Sequence, residues 1–199
     1  DIKNPIEFSI DPDHPQQRVF FYVNETRAYN SGVEFEFRKS FDFLNGLSKE
    51  FNNISFFNNL TLVRSVIDSE DGRKTKSRNL QGQSPFVLNL GLVYENEQSG
   101  WGSSLVLNRI GRRIFTVGAP GGQPYQKDLM ENPRTVLDAQ ISKNVGKLNI
   151  RFTLGDILQQ DLVFYQDLNE NGRYDKNGDN TIFKYNNGYT GTLSFTYKF

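Results

Sequence analysis

Seven stretches of the 199-residue chain alternate apolar and polar side chains with a period of two, and none carries a helical period with caps. GVEFEFRKSF sets Val33, Phe35 and Phe37 against Glu34, Glu36 and Arg38. NISFFNNLTLV puts Ile54, Phe56, Leu60 and Leu62 on one face, with Asn58 interrupting it. PFVLNLGLVYEN opposes Phe86, Leu88, Leu90, Leu92 and Tyr94 to Asn89, Gly91 and Glu95. WGSSLVLNRIGRRIFTV aligns Trp101, Leu105 and Leu107, then loses phase near Gly111, where a bulge is expected. RTVLDAQISKNV and KLNIRFTLGDIL follow, with Leu137, Ala139 and Ile141, then Leu148, Ile150, Phe152 and Leu154, on their apolar parities. The last stretch is YTGTLSFTYKF, which sets Tyr189, Leu193, Phe195, Tyr197 and Phe199 against Thr190, Thr192, Ser194, Thr196 and Lys198. A partial eighth strand is expected at Pro5 to Ile10, and the fold class is all-β.

The links between these stretches alternate in length. EQSG and NVGK are short, and Asp42 to Asn53 is a moderate turn. Asp68 to Ser84, Gly118 to Pro133 and Gln166 to Gly188 are long and polar, and all three fall at the same end of the strands. Unstructured links of that length are uncommon in compact domains. They are the rule in outer-membrane barrels, which have short turns on one side and long loops on the other. The pattern therefore predicts antiparallel transmembrane β-barrel strands, about seven or eight of them. Hydrocarbon offers backbone groups no water, so a sheet there must close on itself. Each strand then needs one apolar face for lipid and tolerates charge on its lumen face, where Glu34, Glu36, Arg38, Asp138 and Arg151 would lie. Tyr94, Trp101, Tyr189 and Tyr197 stand at strand ends, as interfacial girdles require. The long links are expected to be extracellular and the C-terminus to reach the periplasmic rim. Two other readings fit the alternation: a soluble β-sandwich that binds carbohydrate, and a complete eight-stranded outer-membrane barrel with a structural or adhesive role.

Composition narrows the chemistry. The chain has 23 basic and 23 acidic residues, so its overall charge points to no polyanionic partner. It has no cysteine, which removes disulfides and thiol chemistry, and hydrophobic residues make up 36%. No run approaches the ~18 apolar residues of a spanning helix. The single histidine, His14, lies in DPDHP and cannot by itself build a triad or a His-rich metal site. No catalytic, cofactor-binding or metal site is expected, and the protein is expected not to be an enzyme. Glu34 and Glu36 share a strand face, but there they would meet water or a plug rather than a glycoside.

Four motifs invite a functional reading. In DLNENGRYDKNGD, Asp167, Asn169, Asn171, Gly172 and Asp175 match positions 1, 3, 5, 6 and 9 of a calcium loop. Gly178 stands where the bidentate glutamate should be, and Asp179 comes one residue late. An acidic surface loop is the expectation, with Ca²⁺ in the loop around Asp167 as the alternative. RKTKSR, Arg73 to Arg78, reads as a solvated loop face or a contact for lipopolysaccharide phosphates, and not for nucleic acid. GAPGGQP, Gly118 to Pro124, lacks the GK[ST] of a phosphate loop. GRR, Gly111 to Arg113, reads as a strand kink carrying lumen-facing charge.

LQGQSPFVLNLGLVYE, GWGSSLVLNRIGRRIFTVG, ENPRTVLDAQISK, GDILQQ and FTYKF occur in that order, preceded by NPIEF and NSGVEFEFRKSFDFL. Together they resemble the C-terminal barrel of TonB-dependent outer-membrane receptors, of the type found in Bacteroidota and unlike the SusC glycan importers. The resemblance spans nearly all of residues 1–199, with no plug domain visible. It implies a 22-stranded barrel of which this is the last third, so that the chain is expected to be a portion of a longer polypeptide. It also implies uptake of a ligand across the outer membrane of a Gram-negative bacterium, with energy relayed by TonB. The implied partners are the rest of the barrel, the plug, TonB, outer-membrane lipid and lipopolysaccharide, and a surface lipoprotein. No cofactor is implied, and the terminal aromatic strand resembles a barrel-assembly signal.

Overall fold

The computed structural model describes residues 1–11, 19–68, 78–118 and 127–199. Its strands are β1 (Ile2–Lys3), β2 (Ile6–Ile10), β3 (Phe20–Asn24), β4 (Arg27–Ser40), β5 (Ile54–Asp68), β6 (Phe86–Asn96) and β7 (Trp101–Ile110). These are followed by β8 (Arg113–Thr116), β9 (Leu129–Glu131), β10 (Arg134–Val145), β11 (Leu148–Gly155), β12 (Leu162–Gln166), β13 (Asn180–Tyr185) and β14 (Thr190–Tyr197). An eight-stranded sheet in the order β1-β4-β5-β6-β7-β10-β11-β14 forms a wall. All its pairings are antiparallel, and β4, β5, β6, β7 and β10 run 10 to 15 residues, enough to cross a bilayer when tilted.

The register keeps the two parities separate from strand to strand. Val33 pairs with Leu62, Phe35 with Leu60, Leu90 with Leu107 and Leu107 with Leu137. Phe152 pairs with Leu193, Ile150 with Phe195 and Leu148 with Tyr197. The wall side chains Val33, Phe35, Leu62, Leu92, Leu105, Ile141, Phe152, Leu193, Phe195 and Tyr197 are all exposed, because among the described residues no second layer covers that face. A one-residue slip would invert every one of them, so the apolar face fixes the pairing. The opposite face carries the expected polar groups, with Glu34 Oε1 accepting from Asn59 Nδ2 at 2.6 Å and Asn89 Oδ1 accepting from Asn108 Nδ2 at 2.6 Å.

Both alternatives to a larger barrel fail on this geometry. A sandwich would cover the apolar face. A complete eight-stranded barrel would pair β1 with β14, whereas these are the two ends of the sheet.

Three expectations need correction. Ile6–Ile10 is a strand, but it pairs with β3 in a separate hairpin, and the eighth wall strand is the short β1. The phase break at Gly111 is not a bulge within one strand. The chain leaves the wall after Ile110 and re-enters a different, four-stranded sheet in the order β13-β12-β9-β8. The long links therefore have secondary structure of their own: β8 and β9 lie in the link between β7 and β10, β12 and β13 in the link between β11 and β14, and the β9–β12 pairing joins the two. The moderate turn holds two 3-10 segments, Asp42–Leu44 and Lys49–Asn53, the second capped by Ser48 Oγ accepting from Glu50 N at 3.3 Å.

The hydrophobic core lies in this smaller sheet rather than in the wall. Ile114, Val117, Met130 and Tyr165 form a buried cluster, with Tyr174 packed against it.

Candidate ligand-side surface

At the long-link end the wall is covered on its polar side. Ala28, Ser65 and Ile67 share the parity of Glu34 and Asn59 and are buried, while Tyr29 and Leu62 on the apolar parity are exposed. Ser65 Oγ accepts from Leu80 N at 2.9 Å, which seats the segment 78–83 on that inner side. From there the segment reaches two other links. Glu7, 1% exposed, accepts Arg78 Nη1 at 2.9 Å, Arg78 Nη2 and the Gln81 backbone N–H at 3.1 Å. Burial opposes the charge on Arg78, but Glu7 and then Asp128 and Glu25 outweigh it, so its pKa is raised. Gly82 N donates to Ile114 O at 2.8 Å.

One face of the smaller sheet is aromatic. Phe164 stands opposite both Phe183 and Glu131, and Leu162 opposite Tyr185, so these side chains share a face. Phe164 stacks on Phe183 with centroids 4.3 Å apart, and Phe115 meets Phe164 edge-on at 4.7 Å. Phe115, Phe183 and Tyr185 are 46%, 38% and 47% exposed, whereas Phe164 beneath them is 4% exposed. Two charge pairs lie beside this ladder, the second on the alternate parity of β13. Arg113 Nε meets Glu131 Oε2 at 2.8 Å and Lys184 Nζ meets Asp161 Oδ2 at 2.7 Å. Lys184, and after it Asn186, holds the Asp161 carboxyl below its ordinary range, and Asp161 in turn raises Lys184. The β2–β3 hairpin presents a comparable face, with Phe8 stacked on Phe20 at 5.1 Å and Tyr22 exposed beside them.

On the other face lies the calcium-like loop. Asp167 Oδ1 accepts from Asn171 N at 3.2 Å and Oδ2 accepts from Gly172 N at 2.9 Å. Gly172 has φ +78°, a conformation that other residues rarely adopt. Asn169 and Asn171 turn their side-chain oxygens onto backbone N–H groups at 3.1 and 2.7 Å, and Asp179 accepts from Leu168 N and Asp175 N. Asp167 Oδ2 also takes Arg112 Nη1 at 2.7 Å. Lys127 Nζ reaches Leu168 O at 2.8 Å and Glu170 Oε1 at 3.2 Å. Two cations of the chain thus sit on the loop's oxygens. Tyr165, fully buried below Arg112, has its phenol pushed up by burial, with Arg112 pulling it back.

The remaining sequence motifs fare differently. Arg112 and Arg113 are not lumen-facing charges, because the chain has left the wall and both pair with carboxylates above it. Arg78 of the basic run joins Glu7, while residues 73–77 lie outside the described residues, as do His14 and residues 119–124 of the glycine-rich link. Gly118 N donates to Asp128 Oδ1 at 2.8 Å. Glu7, Gln81, Phe115, Phe164 and Tyr185 were not singled out from the sequence. The short apolar and aromatic runs LVFYQ and IFKY, on either side of a stretch rich in Asn, Asp and Gly, were the available signal for the ladder.

An open antiparallel wall with an exposed apolar face, and folded links gathered at one end, defines a segment of a transmembrane β-barrel. The chain belongs to the TonB-dependent receptor-like β-barrel family, whose model matches residues 1–157. No curated protein matches the sequence significantly. Among solved structures, the ferric citrate transporter FecA in its unliganded form is similar at a TM-score of 0.58 and 17% identity, over 87% of this chain and 24% of FecA. The ferric yersiniabactin uptake receptor FyuA from Yersinia pestis is similar at 0.55 and 13%, over 88% of this chain and 24% of FyuA. The chain thus spans about a quarter of each of these structures, which share its fold.

Proposed function

We propose that this chain is the C-terminal wall of an outer-membrane receptor that takes up a ligand with energy relayed by TonB, and that it has no enzymatic role. The observation that carries the reading is the joint placement of an uncovered apolar wall and long, strand-bearing links gathered at one end. In this reading the long links face the cell exterior and the terminal Phe199 the periplasm. The remainder of the barrel and a plug close the wall, and the receptor is of the Bacteroidota type rather than the SusC type. Lipid and lipopolysaccharide meet the apolar face, and a surface lipoprotein is a candidate partner at the long-link end. The ligand meets the Phe115–Phe164–Phe183–Tyr185 ladder. Its neutralised border suits a ligand with an apolar or π face better than a highly charged one.

Deleting the natural receptor and deleting TonB should give the same uptake defect. Phe183→Ala with Tyr185→Ala should reproduce much of it while the receptor stays in the outer-membrane fraction. A soluble receptor, or an uptake defect independent of TonB, overturns the reading. Single cysteines on the cysteine-free segment test orientation: Gly178→Cys should react with an impermeant maleimide on intact cells, and Gln98→Cys should not.

A further inference from the structure

We propose that Gln81, with the Glu7–Arg78 pair, is a latch that joins the β2–β3 hairpin and the four-stranded sheet into one body. Among the described residues a parallel bridge, Ser9 to Val117, joins the two sheets, and in it Val117 N donates to Phe8 O at 3.1 Å. One rung further along a parallel ladder, Phe8 N would donate to Phe115 O. The strands diverge there, and the Gln81 side chain fills the gap. Its Oε1 accepts from Phe8 N at 2.6 Å and its Nε2 donates to Phe115 O at 2.6 Å. The primary amide thus stands in for a backbone rung, with donor and acceptor in the orientation the two strands require.

The amide is held in place by its own backbone. Gln81 N donates to the buried Glu7 carboxylate, which Arg78 also grips, and the neighbouring Leu80 N is tied to Ser65 of the wall. Removing the side chain leaves Phe8 N and Phe115 O without these partners, and removing the carboxylate strands a largely buried guanidinium. Three links that enter from different wall hairpins are therefore coupled at one residue. The consequence is that any opening at this end moves the hairpin and the aromatic ladder together. This needs only the fold and does not depend on the identity of a ligand.

Hydrogen exchange on the natural receptor in micelles tests it, with Gln81→Leu and Gln81→Glu compared against the parent. Gln81→Leu should speed exchange at least about 10-fold in both 6–10 and 113–117 while 54–62 and 86–96 keep their protection. Gln81→Glu retains the acceptor and loses the donor, so it should fall between. A Ser9→Cys, Val117→Cys disulfide in the Gln81→Leu background should restore protection to both segments. If Gln81→Leu does not fold, the same disulfide should recover a folded barrel. Exchange that rises in only one of the two segments, in neither, or throughout the wall overturns the latch, as does a formed disulfide that restores nothing.

Discussion

Phe57 lies across Gly91: a Cβ built on Gly91 would stand 2.0 Å from Cε1 and 2.1 Å from Cζ of the Phe57 ring. The two are register partners on the polar side of the wall, where Phe57 also faces Arg38. A ring over a glycine shields backbone that would otherwise have no side chain to pack against. Gly91→Ala must displace the ring, because a methyl cannot share that space. We expect a loss of about 1–3 kcal/mol in urea unfolding of the natural receptor in micelles. The Phe57→Ala, Gly91→Ala double variant should cost less than the sum of the singles. A Gly91→Ala protein as stable as its parent would show that the ring has another place to go.

Asn58 sits on the apolar parity between Phe37 and Leu90, and its buried Oδ1 has no hydrogen-bond partner among the described residues. Nothing in the structure explains its presence there. Leucine at this position would join Leu60 and Phe56 on the apolar face, which the proposed function sets against lipid. Asn58→Leu should therefore stabilise the folded receptor by about 1 kcal/mol. The same unfolding measurement checks it, and a clear loss would place water or protein, not lipid, against this part of the wall.

The wall was legible because a single-layer sheet with one apolar face follows a rule with one variable. Parity alone decided that Phe35 and Leu193 go outward and Glu34 and Ser194 do not, and tertiary context had no means of overriding it. The smaller sheet was not legible for the opposite reason. β8, β9, β12 and β13 are three to six residues long. They form two local hairpins, β8–β9 and β12–β13, that join through β9 and β12 from different links, so their local pattern carries little information about the sheet they make. The GRR reading failed for the same cause: it assumed that Arg112 and Arg113 continued the strand of Leu107, whereas Glu131 and Asp167, distant in sequence, had already claimed them. Gln81 could not have been found from pattern at all, since its role is defined by a gap between two strands that the sequence does not announce.

The loop from Asp167 to Asp179 was the one place where sequence suggested a metal. Its side-chain oxygens are turned onto its own backbone N–H groups, and Arg112 at 2.7 Å from Asp167 Oδ2 supplies positive charge on the same oxygen that a cation would use. We expect no sensitised Tb³⁺ luminescence from the natural receptor. Luminescence that Ca²⁺ displaces and Asp167→Ala abolishes would establish the cation site and show that Arg112 yields to it. Arg112→Met should weaken the loop in either case, because the Asp167 carboxylate then loses its charged partner.

At the opposite end, Glu50 ties the moderate turn to the wall. Its carboxylate accepts from the Tyr94 hydroxyl at 2.8 Å and from Asn53 Nδ2 at 3.1 Å, and these bonds, Tyr94 first, hold its pKa below the ordinary value of 4.5. A carboxyl whose pKa is lowered by folding stabilises the folded state while the unfolded chain would also be ionised, that is above about pH 4.5. The contribution then fades as pH falls through the folded-state value. Tyr94→Phe removes the largest cause while keeping the ring at the strand end. The parent should therefore be the more stable at pH 7, and the two midpoints of urea unfolding should converge as the pH is lowered from 5 to 3. The sign follows from the lowered pKa alone. A gap that widens on acidification would mean that the Tyr94 hydroxyl stabilises the turn through something other than the ionised Glu50.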